Sequence, residues 1–383
     1  MGVAVNSLGP AVASGDSAAR PLRVVFCWSE IPGYMAACWH ALARRPGVEL
    51  HILHPQQLFD SIANPFDLEP LVAGLSHEMF RADRPNLERW LIDTVGARQP
   101  DVVVHCGWIF RPYAALATAS ELSQVAMVLG MDSPWRGTLA QRLARFRLAT
   151  LVERMSAVVT AGERSAEYAR RLGVPDRKIF GGYYGFDDRA LHGVSARRQQ
   201  HAWPRQFLFV GRYVAQKDLA TLVAAYAAYR RAVSDPWGLT CCGDGPDAPL
   251  LAGVEGIANL GFMQPSDLPR VFATHGAFVM ASRFEPWGVV IAEAASSGLP
   301  VVCTTACGAS IDLVRDYYNG VVAAPADVAG LTRALLWIHH HESALAAMGE
   351  RGRGLADAYS AESWAARWHN YLAGAIEVSC TRD

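Results

Sequence analysis

The sequence predicts an α/β protein of two doubly wound domains, each with a parallel sheet covered by helices on both faces. Three observations support this fold class. The chain has 383 residues, about twice what a single hydrophobic core usually organises. Short apolar runs alternate with helix-length amphipathic segments, which is the rhythm of βαβ units. That rhythm stops once, in a polar and basic stretch at residues 191–206, and then restarts.

The first half of the chain contains five apolar runs that are typical of strands buried on both faces. Four amphipathic segments of helix length lie between them. The predicted strands are LRVVFCW (22–28), VELHILH (48–54), DVVVHCGW (101–108), QVAMVLGM (124–131) and SAVVTAG (156–162), and the predicted helices are AACWHALARR (36–45), NLERWLIDTVGARQ (86–99), PYAALATASELS (112–123) and TLAQRLARFRLATLVERM (138–155).

The second half repeats the pattern, so we predict a second doubly wound domain there. The predicted strands are QFLFVGR (206–212), GLTCCGDG (238–245), IANLGFM (257–263), GAFVMAS (276–282), LPVVCTT (299–305) and GVVAAP (320–325). Residues 326–377, after the last of these strands, contain no strand signal and should form two or three helices. The predicted organisation is a mobile leader (1–20), a first domain (21–192), a linker (193–205), a second domain (206–360) and a C-terminal helical segment (361–383).

Composition narrows the classes of partner. The formal net charge of -1 gives no electrostatic reason to expect a nucleic acid. No apolar run approaches the roughly 18 residues of a membrane-spanning helix, and the first twenty residues lack the basic start and apolar core of a secretion signal. The eight cysteines are scattered without a CxxC pair. We therefore expect reduced, buried thiols in a cytoplasmic protein.

Two glutamates interrupt an apolar run, SRFEPWGVVIAEAASSGLPVV, at residues 282–302. Burying an unpaired carboxylate is costly, so either both face water or a polar group meets them. Pro286 disfavours a helical conformation at Glu285, and proline suits the first position of a helix. We therefore predict a helix that begins at about Pro286, with Glu285 in the loop at the carboxyl edge of the sheet.

The start of this predicted helix is suited to an anion. The backbone N–H groups of Trp287, Gly288 and Val289 would lie there unpaired, at the positive end of the helix dipole. Glu285 and Glu293 would be ~12 Å apart if both were helical, a span comparable to a sugar plus a diphosphate. Glu293 has an equally open alternative, because its helical face also carries two serines and it could simply be solvated.

A second group of residues follows the strand at 206–212. Gly211 and Arg212 end this strand, and Lys217 precedes a helix that Asp218 can cap. Two cations at the carboxyl end of a strand are suited to neutralising a diphosphate leaving group. Exposed basic residues in such a loop are the alternative.

The chain at these positions resembles the retaining glycosyltransferases of group 1, also called family 4, which have the GT-B fold. The resemblance covers about residues 205–330, and EPWGVVIAEAASSGLPVV (285–302) is its most specific piece. It implies two Rossmann-like domains whose parallel sheets face each other across a cleft. The other matching pieces are Gly211-Arg212 with Lys217, CCGDGP (241–246) around Gly243, Gly261-Phe262 before SDLPRVFATH (266–275), and NGVVAAPAD (319–327).

The resemblance also implies roles for individual residues. Glu285 would contact the donor sugar and Glu293 the ribose, while Arg212 and Lys217 would hold the diphosphate. The C-terminal helix of that family crosses back onto the first domain, which would account for SAESWAARWHNYLAGAIE (360–377). The implied donor-binding residues further include Gly211, Gly243, Pro286, Trp287, Gly288, Val289 and Gly33.

No metal or other cofactor is expected. The resemblance implies catalysis without a metal, in which the leaving phosphate helps to deprotonate the acceptor hydroxyl. The sequence contains no DxD motif that would chelate a divalent ion. His339, His340 and His341 are adjacent, so they point in different directions around a helix and do not form a metal site by spacing.

The first half matches the family less well. After the first strand, only Gly33 is available for close approach to a phosphate, and the neighbouring Tyr34 is a candidate sugar or acceptor contact. Asp132 stands where a histidine is common in the family, and it could contact the acceptor or cap a helix. His105 could line the cleft, although a structural histidine is the alternative. Residues 184–187, Tyr-Gly-Phe-Asp, replace the usual Asn-Gly-Val-Asp.

The predicted helix at 138–155 has a mixed character. Four arginines lie among leucines, a valine and a phenylalanine. This pattern suits peripheral contact with an anionic membrane, which for a cytoplasmic protein would be its inner face. An ordinary half-buried helix between strands explains the pattern equally well.

The leading functional hypothesis is transfer of a sugar from a UDP- or GDP-sugar to a glycan, lipid-linked or small-molecule hydroxyl. The anomeric configuration would be retained, and the product would belong to a polysaccharide or glycoconjugate. A nucleotide-sugar epimerase of the same architecture is one alternative, and a catalytically silent nucleotide-sugar-binding scaffold is another. A nicotinamide dehydrogenase is disfavoured, because no G-x-G-x-x-G follows the first strand.

Overall fold

The computed structural model describes residues 20–56, 66–199 and 202–380. The predicted leader, but for Arg20, lies outside the described residues. Within them the chain forms two separate parallel sheets flanked by helices, which confirms the predicted α/β class.

Seven strands form the first sheet and six form the second, and every pair of neighbouring strands is parallel. The strands are β1 (Leu22–Cys27), β2 (Val48–Pro55), β3 (Ser76–Phe80), β4 (Val102–Cys106), β5 (Ala126–Met131), β6 (Ala157–Thr160), β7 (Ile179–Gly181), β8 (Gln206–Val210), β9 (Gly238–Cys242), β10 (Ile257–Gly261), β11 (Ala277–Met280), β12 (Val301–Thr304) and β13 (Gly320–Ala323). The sheet orders are β3-β2-β1-β4-β5-β6-β7 and β10-β9-β8-β11-β12-β13.

α-Helices lie between most consecutive strands and cover both sheets, whereas a short 3-10 helix, Ala248–Leu251, lies between β9 and β10. The α-helices are α1 (Gly33–Ala43), α2 (Leu68–Val72), α3 (Leu87–Ala97), α4 (Arg111–Leu116), α5 (Leu139–Arg147), α6 (Ala149–Arg154), α7 (Glu163–Leu172), α8 (Val194–Gln199), α9 (Leu219–Ala232), α10 (Leu268–Ala273), α11 (Val289–Ser296), α12 (Ala309–Asp312), α13 (Val328–His340), α14 (Glu342–Ala356) and α15 (Ala361–Cys380). In the described part of the chain, no helix combines the length and the apolar character needed to cross a bilayer.

The strands of the first sheet are buried on both faces, which explains their continuous apolar sequences. In β4, Val102 and Val104 belong to the core that includes Trp39 of α1. Val103, between them, belongs to the opposite core with Leu91 of α3. The seven cysteines whose side chains the structure describes are free thiols, and six of them are buried, as the sequence predicts.

Each sheet has one point at which the strand order reverses. It lies between β1 and β4 in the first sheet and between β8 and β11 in the second. Sheets of this kind bind ligands in the crevice outside the carboxyl ends of the strands at that point. The loops that leave β8 and β11 carry Lys217 and Glu285, so the fold brings the two predicted motifs of the second domain to one edge.

Two strands and one helix break were not predicted. The residues of β3, SHEMF, are mostly exposed, and they do not form an apolar run. Strand β7 has only three residues, which is too short for such a run. The helix predicted at 138–155 is divided into α5 and α6 at Leu148, where φ is -104° and ψ is 6°.

The segment between the domains is anchored to the second one. It contains the short helix α8, which falls inside the predicted linker. The guanidinium of Arg198 on this helix is buried and donates hydrogen bonds to the carbonyls of Phe272, Ser297 and Gly298. These three backbone acceptors take the hydrogen bonds of its two terminal nitrogens, whereas its Nε has no partner among the described residues.

Helix α15 lies on the first domain, although it follows the second domain in sequence. The indole N–H groups of Trp364 and Trp368 donate to the carbonyls of Tyr183 (2.9 Å) and Gly182 (3.0 Å). The ring of Trp368 also lies 5.6 Å from that of Phe26 in β1. The last described helix therefore completes one core of the first domain.

Candidate active site

Lys217 and Glu285 form an ion pair between the carboxyl ends of β8 and β11. Both side chains are only 11% exposed. A second ion pair lies beside the first, because Arg283 Nε donates to Asp218 Oδ2 at 2.7 Å. The loop backbones are joined as well, since the N–H of Arg283 donates to the carbonyl of Gln216 at 2.9 Å. The two loops are thus joined by side-chain and backbone contacts at the switch point of the second sheet.

Asp218 fixes the position of its neighbour Lys217. Its backbone is left-handed, with a φ of 54°. Its side chain accepts a hydrogen bond from the N–H of Thr221 at 3.3 Å and so caps α9, as the sequence predicts. Because the same carboxylate also binds Arg283, a single buried side chain sets both the helix start and the loop geometry.

Glu285 is held by the loop that follows β12. Its N–H donates to the carbonyl of Ala306 at 3.3 Å, and its carbonyl accepts from the N–H of Gly308 at 3.1 Å. A Cβ on Gly308 would lie 2.3 Å from the carbonyl oxygen of Pro286, so only glycine permits this approach. The sheet edge therefore fixes Glu285 independently of the helix that follows.

Helix α11 begins at Val289, not at Pro286 as predicted. Gly288 precedes it with a φ of 100°, a conformation that turns the chain sharply and keeps Pro286 in the loop. Among the described residues, the backbone N–H groups of Gly288, Val289 and Val290 have no hydrogen-bond acceptor. These are the donors that a helix N-terminus offers to an anion.

The side chain of Trp287 is buried beside this region and serves packing. Its ring is 1% exposed, and its indole N–H donates to Asp312 Oδ2 at 2.8 Å. The ring also lies 6.0 Å from that of Tyr184 and 4.8 Å from that of Tyr359. The side chain thus joins the second domain to residues that border the first.

Gly211 and Gly243 belong to two neighbouring loops in close contact. Gly243 has a φ of 156°, and a Cβ there would lie 1.9 Å from the carbonyl oxygen of Gly211. The glycine at 243 is therefore required for the packing of the loop. Arg212, at the same edge, is exposed and has no ion-pair partner among the described residues.

Glu293 lies half-buried on α11, between the buried residues Ala292 and Ala294. Burial raises the pKa of its carboxyl group from the ordinary 4.5 to about 7, and the nearby Asp187 carboxylate contributes to the rise. In the described part of the chain its carboxylate has no side-chain hydrogen bond. Because the side chain is only partly exposed, its carboxylate is less fully solvated than that of a surface glutamate.

The first domain brings Asp132 and Tyr184 to the same region. The Tyr184 hydroxyl donates to Asp132 Oδ2 at 3.0 Å. Burial raises the pKa of Asp132, and this hydrogen bond partly opposes the rise. Asp132 does not cap a helix, because α5 begins at Leu139 and is capped by Thr138. Tyr184 was not predicted as a site residue; the only sequence signal was a tyrosine in an unusual junction motif.

Tyr34 lies where carboxylates of both domains converge. Its ring meets that of Tyr184 edge-on, with 5.6 Å between centroids. Burial raises the pKa of its hydroxyl well above the ordinary value, so this group is a hydrogen-bond donor at neutral pH. Four carboxylates raise that pKa further, in the order Glu30, Asp132, Glu293 and Glu285.

Two predicted residues have other surroundings. His105 is fully buried, its Nδ1 lies 3.0 Å from the carbonyl of Gly107, and burial lowers its pKa to about 4. This environment favours the structural alternative, and its Nε2 has no partner among the described residues. Gly33 begins α1, and a Cβ there would lie 3.1 Å from Pro265 of the second domain. It is a point of contact between the domains.

The described ranges contain no group of three His, Cys, Asp or Glu side chains that could hold a metal ion. Of the three adjacent histidines, His339 lies 2.8 Å from the hydroxyl of Tyr229, so it has a structural partner.

Comparison of sequences relates the second domain to a known family. Residues 204–341 match the family model described as Glycosyl transferases group 1. Glycogen synthase from Mycobacterium tuberculosis is 27% identical over 282 residues, which cover 70% of this chain and 66% of that enzyme. The O-antigen chain mannosyltransferase B of Escherichia coli is 30% identical over 148 residues, 37% of this chain and 38% of that protein. The chain thus spans less than two thirds of these relatives.

Solved structures extend the similarity to both domains. Anabaena Alr3699/HepE, crystallised with UDP and glucose, aligns with a TM-score of 0.72 and 18% identity, over 92% of this chain and 99% of that one. The chain has the GT-B fold. Sucrose-phosphate synthase from Thermosynechococcus elongatus aligns with a TM-score of 0.68 and 17% identity, over 91% and 97% of the two chains. This GT-B protein therefore combines a second domain similar to group 1 glycosyltransferases with a first domain that retains the fold at low identity.

Proposed function

We propose that this GT-B protein is a glycosyltransferase that moves a sugar from a nucleotide sugar to an acceptor hydroxyl with retention of the anomeric configuration. One observation carries the proposal. The buried Lys217 and Glu285 pair lies at the switch point of the second sheet, beside the unpaired N–H groups that begin α11. The similarity to group 1 glycosyltransferases, and to a protein crystallised with UDP and glucose, supports a nucleotide sugar as the donor.

The diphosphate of the donor would occupy the anion-binding start of α11. Lys217 and Arg212 provide the positive charge, and the backbone N–H groups of Gly288 and Val289 provide oriented donors. These interactions strengthen as negative charge develops on the leaving group. A phosphate oxygen would compete with Glu285 for the Lys217 ammonium. Glu285 would then be free to accept hydrogen bonds from the sugar hydroxyls.

The nucleoside would lie along α11 toward Glu293. An ionised carboxylate at this position accepts hydrogen bonds from ribose hydroxyls more strongly than a protonated one. Because the pKa of Glu293 is raised to about 7, the fraction that is ionised changes near neutral pH. Donor affinity should therefore depend on pH in that range.

The acceptor would approach from the first domain. Asp132 offers a carboxylate that is already oriented by the Tyr184 hydroxyl, and Tyr34 offers a protonated hydroxyl. These groups suit a polyhydroxylated acceptor, since they present both acceptors and donors of hydrogen bonds.

The proposed reaction needs no metal. The bond between the anomeric carbon and the diphosphate oxygen breaks, and its electron pair leaves with the nucleoside diphosphate. The acceptor oxygen forms the new bond on the same face of the sugar. Its proton passes to an oxygen of the leaving phosphate, while Lys217 and Arg212 stabilise the accumulated charge.

A panel of UDP-, GDP- and ADP-sugars tests the proposal. Calorimetry identifies the nucleotide that binds, and release of that nucleotide is then measured with soluble and lipid-linked sugar acceptors. We expect nucleotide release that depends on an acceptor, and a product whose anomeric configuration, determined by NMR, matches that of the donor. An isomerised sugar still attached to its nucleotide would instead support the epimerase. Binding without release, with every acceptor, would support the scaffold.

A further inference from the structure

Helix α5 presents its large apolar side chains to solvent. Leu139, Leu143 and Phe146 are 72%, 48% and 74% exposed, and Ala144 is the only buried residue of the helix. Positions separated by three and four residues lie on one helical face. A helix that served only to cover the sheet would turn this apolar stripe toward the core. The stripe therefore lacks a partner within the described chain.

The same segment is strongly basic. Residues 133–152 contain four arginines and no acidic residue. The side chains are exposed, and none forms an ion pair with a carboxylate in the part of the chain that the structure describes. Two of them instead donate to backbone carbonyls of their own segment. The four arginines are Arg136, Arg142, Arg145 and Arg147.

The apolar surface extends to the loop after β4. Ile109 in this loop is 75% exposed. The ring of its neighbour Trp108 lies 5.9 Å from that of Tyr168 on α7, and the ring of Trp135, just before α5, lies 5.6 Å from the same tyrosine. The loop and the α5 segment therefore border one another at the carboxyl edge of the first sheet.

We propose that α5, together with the Ile109 loop, docks onto an anionic lipid bilayer. Leu139, Leu143 and Phe146 would enter the boundary of the acyl chains, and the arginines would contact the headgroup phosphates. Charge complementarity selects this occupant. A second copy of the chain would oppose four arginines to four arginines, whereas anionic lipid supplies the negative charge that the surface lacks.

The location of this surface deepens the proposed function, on which this step rests. The segment follows the loop that carries Asp132, so docking would place the acceptor side of the cleft next to the bilayer. The acceptor class that fits is a sugar or hydroxyl anchored to a membrane lipid. Such an acceptor would reach the cleft from the bilayer by lateral diffusion.

Flotation with vesicles tests docking without any sugar donor, so its outcome is independent of the proposed catalysis. We expect the full chain to bind vesicles of phosphatidylcholine with phosphatidylglycerol, and to bind phosphatidylcholine alone weakly. Added salt should weaken the binding. The double variant Leu143→Glu and Phe146→Glu should lose about tenfold or more in vesicle affinity. Arg142→Ala and Arg145→Ala should lose about fivefold each.

Matched controls place the same kinds of change on the second domain. Leu250→Glu and Arg231→Ala also alter exposed side chains, and they should leave vesicle binding unchanged. Thermal unfolding shows whether each variant remains folded. Failure of the unaltered chain to bind anionic vesicles would overturn the proposal, and so would equal binding by the α5 double variant. A dimer that only the α5 changes dissociate, without vesicle binding, would show a protein contact instead.

Discussion

Lys217 and Glu285 form a buried ion pair although 68 residues separate them in sequence. The contact exists because β8 and β11 are neighbours in the sheet, so the loops after them meet at the carboxyl edge. Each side chain is the counter-ion of the other. A variant that lacks one of the two charges leaves the other without its counter-ion. Such variants allow the effect on nucleotide binding to be separated from the effect on the rate of sugar transfer.

The variant Glu285→Gln should bind the nucleoside diphosphate more tightly, by roughly threefold to tenfold, while sugar transfer falls by about a hundredfold or more. Lys217 would no longer be shared with a carboxylate, but the contact with the donor sugar would be weakened. Calorimetry and initial rates measure the two effects. Glu293→Gln is the matched control, because it removes a carboxylate without freeing Lys217. Unchanged or weaker nucleotide binding in Glu285→Gln would contradict the proposed competition.

Lys217→Ala should weaken nucleotide binding and also lower the free energy of unfolding by about 1–3 kcal/mol, since it leaves the Glu285 carboxylate buried without its counter-ion. Adding Glu285→Gln to this variant should restore part of the lost stability. Urea unfolding of the two single variants and the double variant measures the coupling. If the effects on stability simply add, the ion pair does not contribute in the folded chain.

Glu293 should make stability depend on pH. Its folded pKa of about 7 exceeds the ordinary 4.5, so the folded chain disfavours the ionised form. Relative to Glu293→Gln, the unaltered chain should lose stability as pH rises from about 4.5 to 7, by up to about 3 kcal/mol. Urea unfolding at pH 5 and pH 8 checks this expectation. A stability difference between the two chains that stays constant with pH would refute it. The affinity for the donor should be lower in Glu293→Gln and should depend less on pH.

Tyr184→Phe should raise the KM for the acceptor by roughly threefold to tenfold and leave the donor affinity unchanged. The variant loses the hydrogen bond that lowers the pKa of Asp132, so the acidic limb of the rate profile should move to higher pH. Steady-state kinetics across pH measure both effects. Tyr318→Phe, an exposed change on the second domain, provides the comparison. A variant that changed only the affinity for the donor would contradict the proposed role of Tyr184 in acceptor binding.

Gly243→Ala should destabilise the chain by about 2–5 kcal/mol, because its Cβ would collide with the Gly211 carbonyl and its φ disfavours any side chain. Gly253→Ala separates the two causes. Gly253 also has a left-handed φ, of 70°, but a Cβ at this position would meet no atom within 4 Å. Thermal unfolding should show a much smaller loss for Gly253→Ala, and equal losses would mean that backbone strain alone matters.

Much of the fold was predictable because its signals are local. Apolar runs fully buried in parallel sheets identify strands such as β4 and β11 without knowledge of their neighbours. Local signals also predicted that Glu285 follows the end of a strand. They could not identify Lys217 as its partner, since this contact depends on the order of the strands in the sheet. The short strand β7 and the exposed strand β3 lacked the apolar signal altogether.

The parts of the site that were missed depend on conformation or on contact between domains. Pro286 suits a helix start, but the left-handed backbone of Gly288 delays the start to Val289. Tyr184 acquires its partner only when the junction segment meets Asp132 after the strand β5. Neither the turn nor the meeting of distant segments leaves a periodic pattern in the sequence.

The position of α15 has a consequence for the order in which the protein is completed during synthesis. Trp364 and Trp368 pack on Phe26, yet they are translated after the strands of the second domain. The nascent first domain therefore leaves the ribosome with one core uncovered, while the second domain has its strands contiguous in sequence. Domains generally fold as units during synthesis, and an uncovered apolar face is prone to aggregation until its cover arrives. The first domain should accordingly require chaperones until α15 has been synthesised and has packed on it.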